Sequence, residues 1–307
     1  MGNNLILTLT LNPAVDVSID APEVVDTLKI RCENAVYDPG GGGVNVARIL
    51  QRLGGTTIAH IAAGGGVGRL LVSLLKAEDV SYYLHEITAM TRQNFAVTEI
   101  STGKQFRFVL PGSEMTRLEV DLLLERLFAG PQNPKAIIAS GSLPPGVADD
   151  IYADIARRCH GAGIFFALDT SGAPLQQALD APIGLLKVNE REITDLLGTD
   201  WLREGQALVE RGSINKLVVT KGAEGAVLIS DAGLVEAVSP PVKEISAVGA
   251  GDSFMAAMVL ALCRDWPEKR ALKYALATGA AAALTSASDL ARREDVDRLF
   301  SQMMEEN

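Results

Sequence analysis

From residue 118 onward the chain repeats one pattern: a short apolar run, a loop of small and polar residues, then an amphipathic helical stretch. Apolar runs at 136–139, 164–169, 185–188, 217–220 and 226–229 have the length of buried strands, and helical segments fall between them. Strands alternating with helices build right-handed βαβ units, which close on a parallel sheet covered by helices. The fold class is therefore α/β. The N-terminal part follows the same rule. The run 5–11 ends at Asn12-Pro13 and reads as a strand. Residues 44–53 place Val44, Ala47, Leu50 and Leu53 at helical spacing, stopped by Gly54-Gly55. A strand over 58–63 and a helix over 68–78 follow, and two helical segments are expected to close the chain after Gly251.

Two stretches break the pattern. Residues 14–37 and 91–110 alternate polar with apolar side chains, as half-exposed strands do. In the second, Phe95-Ala-Val-Thr-Glu-Ile100, a Ser101-Thr-Gly-Lys104 turn and Gln105-Phe-Arg-Phe-Val109 read as a hairpin. Together the two stretches predict a small separate sheet. On such a strand Lys29 and Arg31 share one face by period-2 alternation.

The chain has 307 residues with 28 Lys plus Arg against 38 Asp plus Glu, a net charge of −10 that disfavours nucleic acid as a partner. The apolar run 254–263 is shorter than the roughly 20 residues that cross a bilayer, so no membrane partner is expected. Met1-Gly2-Asn3-Asn4 lacks the basic start of a secretory signal. Cys32, Cys159 and Cys263 are odd in number and far apart, without metal-ligand spacing, and read as free thiols of a reducing cytoplasm.

Ligands bind such sheets beyond the carboxyl ends of the strands, and five constellations fall in loops there or on the small sheet. Ser246-Ala-Val-Gly249-Ala250-Gly251-Asp252-Ser253 leads into a helix whose free N–H groups suit phosphate; Asp252 there is either a helix cap or a base for a substrate hydroxyl. Asp38-Pro39-Gly40-Gly41-Gly42-Gly43-Val44-Asn45 allows backbone contact with a small polar ligand, or is a turn. Asn189 and Glu192 have capping-box spacing, and could equally hold the water shell of Mg²⁺. Val218-Val-Thr220-Lys221-Gly222-Ala-Glu-Gly225-Ala226 is a nucleotide cradle or a tight hairpin. Lys29, Arg31, Arg92 and Arg107 are solvated strand residues, or a grip for one anionic group. A Walker-type loop, a complete G-x-G-x-x-G fingerprint, an H-E-x-x-H zinc motif and a G-x-S-x-G elbow do not occur, and His60, His85 and His160 are scattered. These absences argue against Walker-type ATPases, nicotinamide oxidoreductases, zinc enzymes and serine hydrolases.

The order of Gly-rich turn with Asn45, Asn189-x-x-Glu192, Thr220-Lys-Gly222 and Gly249-Ala-Gly-Asp252 resembles the phosphofructokinase B (ribokinase-like) carbohydrate kinases over nearly the whole chain. Thr8-Leu-Thr-Leu-Asn-Pro-Ala-Val-Asp16, Thr91-Arg-Gln-Asn94 and Ser140-Gly-Ser-Leu-Pro-Pro-Gly146 are similar to the branch acting on phosphorylated hexoses. Within it, Pro39-Gly-Gly-Gly-Gly-Val-Asn45 and Phe106-Arg-Phe-Val-Leu-Pro-Gly112 look closest to the minor 6-phosphofructokinase type, and the Lys usual in the Gly-rich turn of 1-phosphofructokinases is absent.

The resemblance implies one kinase domain over 1–307, a three-layer αβα sandwich around a mostly parallel sheet, with a lid from about 14–37 and 91–110. It implies ATP and Mg²⁺ as cofactors and a hexose phosphate as substrate, fructose 6-phosphate first, fructose 1-phosphate or tagatose 6-phosphate as rivals. Asp252 would be the base, and Gly249, Ala250 and Gly251 the anion hole. Asp16, Gly41, Gly42 and Asn45 would bind sugar hydroxyls. Lys29, Arg31, Arg92 and Arg107, with Ser142, would hold the sugar's phosphate. Lys187, Asn189 and the Thr220, Lys221, Gly222 and Gly225 turn would line the nucleotide. Asn189, Glu192 and Asp169 would position Mg²⁺ through water. Many relatives bind a monovalent cation beside the base loop, and Ser246 and Val248 would hold K⁺ here. The chain departs from the family pattern there: the base motif opens Ser246-Ala247 rather than Asp-Thr, and a late Asn-x-Gly-x-Arg loop corresponds to Thr285-Ser-Ala287-Ser-Asp289. A homodimer meeting through the lids and a cytoplasmic setting complete the expectation. The rival from another class is a non-catalytic sugar-phosphate sensor of the same fold.

Overall fold

The computed structural model describes residues 4–26, 28–130, 133–286 and 289–305. In chain order these residues form β1 (Leu5–Thr10), β2 (Ala14–Ala21), β3 (Glu33–Gly40), α1 (Gly42–Arg52), β4 (Thr56–Ala63), α2 (Gly65–Ala77), β5 (Tyr82–Glu86), β6 (Arg92–Glu99) and β7 (Gln105–Phe108). Then come α3 (Arg117–Ala129), β8 (Ala136–Ser140), α4 (Ile151–Gly161), β9 (Phe165–Asp169), α5 (Gly172–Ala178), β10 (Ile183–Asn189), α6 (Glu190–Leu197), α7 (Trp201–Glu210), β11 (Ile214–Thr220), β12 (Ala226–Ser230) and β13 (Gly233–Ala237). Helices α8 (Ala250–Cys263), α9 (Glu268–Ala283) and α10 (Arg293–Glu305) complete the described chain.

Nine strands make one sheet in the order β13-β12-β11-β10-β9-β8-β1-β4-β5. Pairing is parallel from β11 to β5; β12 and β13 join antiparallel at one edge. The inner strands are buried on both faces, which explains their continuous apolar runs. Ile6, Ile138, Leu185 and Val218 face a layer with α1, α8, α9 and α10. Their neighbours Leu7, Ile137, Leu186 and Val219 face the opposite layer, with α3 to α7. The architecture is the expected helix–sheet–helix sandwich. Helix α8 is apolar around its whole circumference because it lies buried between the sheet, α1 and α9.

The second sheet has the order β3-β2-β6-β7, with β2 and β6 parallel and the β6–β7 hairpin antiparallel as expected. Val15 and Val17 fix its near end onto Val44, Ala47, Leu71 and Leu75.

Three expectations are corrected. Lys29 and Arg31 lie in a loop: β2 ends at Ala21, Pro22 cannot donate to a ladder, and β3 begins only at Glu33. Three helices, not two, follow the 246–249 loop, because α9 ends at Ala283 and the chain turns through Leu290 at φ 56° before α10. Edge strands β5 and β13 are additional; neither carries the continuous burial of an inner strand.

Candidate active site

Strands β8, β9, β10 and β11 all end on one side of the sheet, at Ser140, Asp169, Asn189 and Thr220. The start of α8 points into the same place. Its N-cap, Gly249, adopts φ 76°, and the Leu290 side chain occupies the space a Cβ would need. The Ala250 N–H closes a long turn to the Ala247 carbonyl (3.3 Å), while the next amides stand at a helix start, where no preceding turn supplies carbonyls. Asp252 sits in this first turn. Its Oδ2 accepts from Asn45 Nδ2 (2.9 Å) and its Oδ1 from Ser140 Oγ (3.2 Å). The carboxylate is deeply surrounded, although the residue keeps a path to solvent. Burial, reinforced by the charge of Asp169, pushes its pKa up to about 6; the Asn45 and Ser140 hydrogen bonds and Lys187 oppose the rise.

Lys187 Nζ pairs with Asp169 Oδ2 at 2.9 Å and lies against Gly251, where a Cβ would crowd it. Burial works against its charge, but Asp169 prevails and holds its pKa above the ordinary value. A permanent cation thus stands at the α8 N-terminus, where the helix dipole and free amides already favour an anion.

The run of glycines has a separate reason at each step. A Cβ on Gly40 would collide with the Asp16 carboxylate, and one on Gly42 with Ser140 Oγ. Gly41, the N-cap of α1, takes φ 110°. The run brings β3, α1 and β8 close together and delivers Asn45 to Asp252. Register aligns Asp16 with Asn94 on β6 and Asp38 on β3. Asn94 Nδ2 donates to Asp16 Oδ1 (2.8 Å), and burial raises the Asp16 pKa despite that bond and nearby Arg107 and Arg92. Asp16, Asn94, Arg107 and Val248 line one small cavity, so the small sheet and the loop before α8 face each other there. Arg92 donates to the Leu110 and Asn12 carbonyls (2.5 and 2.9 Å), and its Nε is buried without a partner among the described residues. Ser142 Oγ accepts from Asn12 Nδ2 at 3.2 Å.

A larger cavity of about 700 Å³ opens beside the start of α8. Thr220, Gly222 and Gly225, which the resemblance assigns to the nucleotide, line it together with Ala250 and Gly251 of the expected anion hole. Its remaining walls, the 238–244 loop and the small-residue face of α9 around Gly279 and Ala280, were not anticipated. A Gly-Ala-rich helix next to an Ala-Gly loop is the signal that could have pointed to them. Lys221 turns away, its Nζ 5.6 Å from the Trp201 ring. Asn189 and Glu192 form a reciprocal capping box, as the structural reading of that motif required, and border a neighbouring cavity with Ser171 and Gln176. Lys29 and Arg31 are exposed on the lid loop, away from these contacts. Ser246 Oγ accepts from the Val248 N–H (3.3 Å); Ala287 and Ser288 of the late loop lie outside the described residues. Sequence reasoning missed the roles of Ser140 and of Arg48, which is buried at 2% exposure and touches Asn45 Oδ1 (3.4 Å). Among the described residues no three His, Cys, Asp or Glu side chains gather as a metal site.

The profile of the pfkB family carbohydrate kinases matches residues 9–293. An ATP-dependent 6-phosphofructokinase isozyme 2 of Mycobacterium tuberculosis is 40% identical over 305 residues, 97% of this chain and 90% of that protein. The protein of the same description from Escherichia coli is 35% identical over 97% of this chain and 98% of its own length. Crystal structures of E. coli phosphofructokinase-2 cover 97% of this chain and 99% of theirs at 35% identity. The complex with potassium superposes at TM-score 0.93; the complex with fructose-6-phosphate and a tetrameric inhibited form each superpose at 0.91.

Proposed function

This chain belongs to the pfkB family of carbohydrate kinases, and on that premise we propose that it transfers the terminal phosphoryl group of ATP to a primary hydroxyl of a hexose phosphate, converting fructose 6-phosphate to fructose 1,6-bisphosphate. The observation that carries this reading is Asp252, a buried carboxylate with a raised pKa in the first turn of α8, next to Ala250 and Gly251, which line the cavity of about 700 Å³, and joined through Asn45 to the Gly-rich turn beside Asp16.

Asp252 Oδ1 takes the proton of the sugar hydroxyl as that oxygen attacks phosphorus. Phosphoryl transfer depends mainly on positioning and charge stabilisation, so a base near pH 6 suffices. The amides at Gly249, Ala250 and Gly251, with Lys187 behind Gly251, stabilise charge on the moving group. Asp16, Asn45 and the backbone at Gly41 and Gly42 bind sugar hydroxyls. Arg107 in the Asp16 cavity, Arg92, whose Nε has no partner among the described residues, and Ser142 are read as the grip on the sugar's phosphate; Lys29 and Arg31, exposed on their loop, would join them only if that loop moved toward the cavity. Thr220, Gly222 and Gly225 border the nucleotide cavity.

Mg²⁺ fits the oxygen donors Asn189, Glu192 and Asp169. Asp169 is engaged with Lys187, and the other two share a capping box, which suits an ion that keeps its waters and leans on phosphates. When bound, it neutralises phosphate charge. For potassium, the side chains of the 246–248 turn offer one neutral hydroxyl, already accepting from Val248. Backbone carbonyls of the same turn would have to supply the remaining ligands, and no step is assigned to the ion.

The chain is read as one kinase domain over 1–307, with the small sheet as a lid that excludes water from the transfer. The assembly is read as a homodimer through the lids: alternation puts Tyr37, Phe95 and Phe108 on the face opposite Asp16, where they are exposed. The E. coli relative has been described as a tetramer in an inhibited form. Among the described residues no helix is long and apolar enough to cross a membrane; the setting proposed is cytoplasmic.

The test is ADP release by purified protein with ATP and, in turn, fructose 6-phosphate, fructose 1-phosphate, tagatose 6-phosphate and ribose. The highest kcat/KM is expected for fructose 6-phosphate. A preference for unphosphorylated ribose overturns the substrate assignment; binding without turnover of any sugar favours a sensor.

A further inference from the structure

Behind Asn45 lies a group of charges that touches neither cavity. Glu78, the C-cap of α2, accepts from Arg48 through both carboxylate oxygens (2.6 and 2.8 Å) and pairs more loosely with Arg52 (3.5 Å). The two arginines stand one turn apart on α1, so one carboxylate serves both. Each arginine also reaches toward the catalytic end of the molecule. Arg48 Nη1 donates to the Pro39 carbonyl (3.2 Å), where β3 of the lid sheet runs into the Gly turn, and faces Asn45 Oδ1 (3.4 Å). A cation beside the amide oxygen forces the Asn45 NH₂ toward Asp252, where it donates at 2.9 Å. Arg52 Nη1 donates to the carbonyls of Asp289 and Ala291, which bracket Leu290, the side chain packed against Gly249.

We infer that Glu78 is a positioning residue for phosphoryl transfer: by fixing Arg48 and Arg52 it sets both the amide that orients Asp252 and the loop that backs the N-cap of α8. The inference rests on the assignment of Asp252 as base. Bidentate geometry matters here, because a guanidinium held on both nitrogens cannot rotate away from Asn45. Through the Pro39 carbonyl the pair also holds the β3–α1 junction, so the end of β3 and Asn45 share one anchor.

The charged groups around Asp252 are Lys187 on β10 and Asp169 on β9, with the neutral donors Asn45 on α1 and Ser140 on β8. Around Arg48 they are Glu78 and Arg52, and Asp289 faces Arg52. Directions can therefore be separated. Neutralising Glu78 removes a negative charge beside Arg48, which by field alone lowers the Asp252 pKa. Losing the Asn45 hydrogen bond raises it.

The full-length chain carrying Glu78→Gln, Arg48→Lys or Arg52→Gln is assayed with ATP and fructose 6-phosphate across pH, alongside its thermal unfolding. Glu78→Gln and Arg48→Lys are expected to lose about 10-fold in kcat with either KM changed less than about threefold, and to move the acid limb of kcat to higher pH. Arg48→Lys keeps the charge and loses only the fork, so it repeats the test if Glu78→Gln folds poorly. Arg52→Gln is expected to lose about threefold in kcat with the limb in place, since Arg48 still holds Asn45. A limb that stays or moves down in both Glu78→Gln and Arg48→Lys overturns the inference, as does a kcat within about twofold of the parent. Asp252→Asn in the same assay separates the failures. If Asp252→Asn keeps turnover, the base assignment falls; if it is inactive while Glu78→Gln is fully active, only the positioning role falls.

Discussion

Asp252 has neutral hydrogen-bond donors on both oxygens, and its two nearest charges, Lys187 and Asp169, oppose each other and are paired together. Burial therefore decides its protonation, and its pKa of about 6 lies above the 3.8 of an exposed Asp. The linkage sign follows. The folded protein binds this proton more tightly than the unfolded chain, so stability is lost as pH rises from 3.8 through about 6, and the cost is fully present above that. At neutral pH it is on the order of 2–3 kcal/mol. Asp252→Asn is accordingly expected to raise Tm by a few degrees at pH 7.5 and by less at pH 5, read by calorimetry. An unchanged or lower Tm at pH 7.5 contradicts the burial of this charge. Such a gain of stability with loss of activity is what a strained functional group predicts and what a simple helix cap does not: removing a cap costs about 1 kcal/mol.

At the scale of elements, the junction of β3 and α1 carries the tightest constraint. Gly40 gives its Cβ space to the Asp16 carboxylate. Gly40→Ala is expected to displace Asp16 and raise KM for the sugar phosphate about 10-fold or more, with KM for ATP within about twofold, in initial-rate kinetics. Equal changes in both would place the damage in the fold rather than in the sugar cavity. The Gly run, the Asp252 loop and the inner strands were legible in the sequence because each rests on local pattern: a helix start, a continuous apolar run, a turn too rich in glycine. The charged lid residues were not. Lys29 and Arg31 alternate as a strand would, but Pro22 and the bulge between Ser18 and Asp20 end the β2–β3 ladder before reaching them. Ser140 and Arg48 gain their roles from partners 112 and 30 residues away, Asp252 and Glu78, and no spacing announces such contacts. The capping box at Asn189 was legible as local chemistry; whether metal also uses it depends on a ligand rather than on spacing.

At the scale of the whole molecule, the sheet of the lid presents two unlike faces. One carries Asp16, Asn94 and Arg107 toward Val248; the other packs Val15 and Val17 onto α1 and α2 but leaves Tyr37, Phe95 and Phe108 exposed, Phe108 at 54%. Apolar side chains on an open sheet are a surface that needs covering. Phe108→Glu is expected to convert a dimer into monomers in light scattering and to lower kcat/KM by loosening the lid; a monomeric parent, or an unchanged dimer, contradicts assembly through this face. The α/β class and the small separate sheet followed from periodicity alone, whereas the edge strands β5 and β13, only partly buried, left no such trace. The central claim remains that one buried carboxylate at the start of α8 acts as the base, and kcat as a function of pH for the parent chain and Asp252→Asn, with fructose 6-phosphate binding followed by calorimetry, tests it most directly. The parent is expected to lose activity as pH falls through about 6, and Asp252→Asn to fall by about 10²-fold or more at every pH while binding sugar phosphate as before. A variant that turns over like the parent, or a parent without that acid limb, would contradict the account.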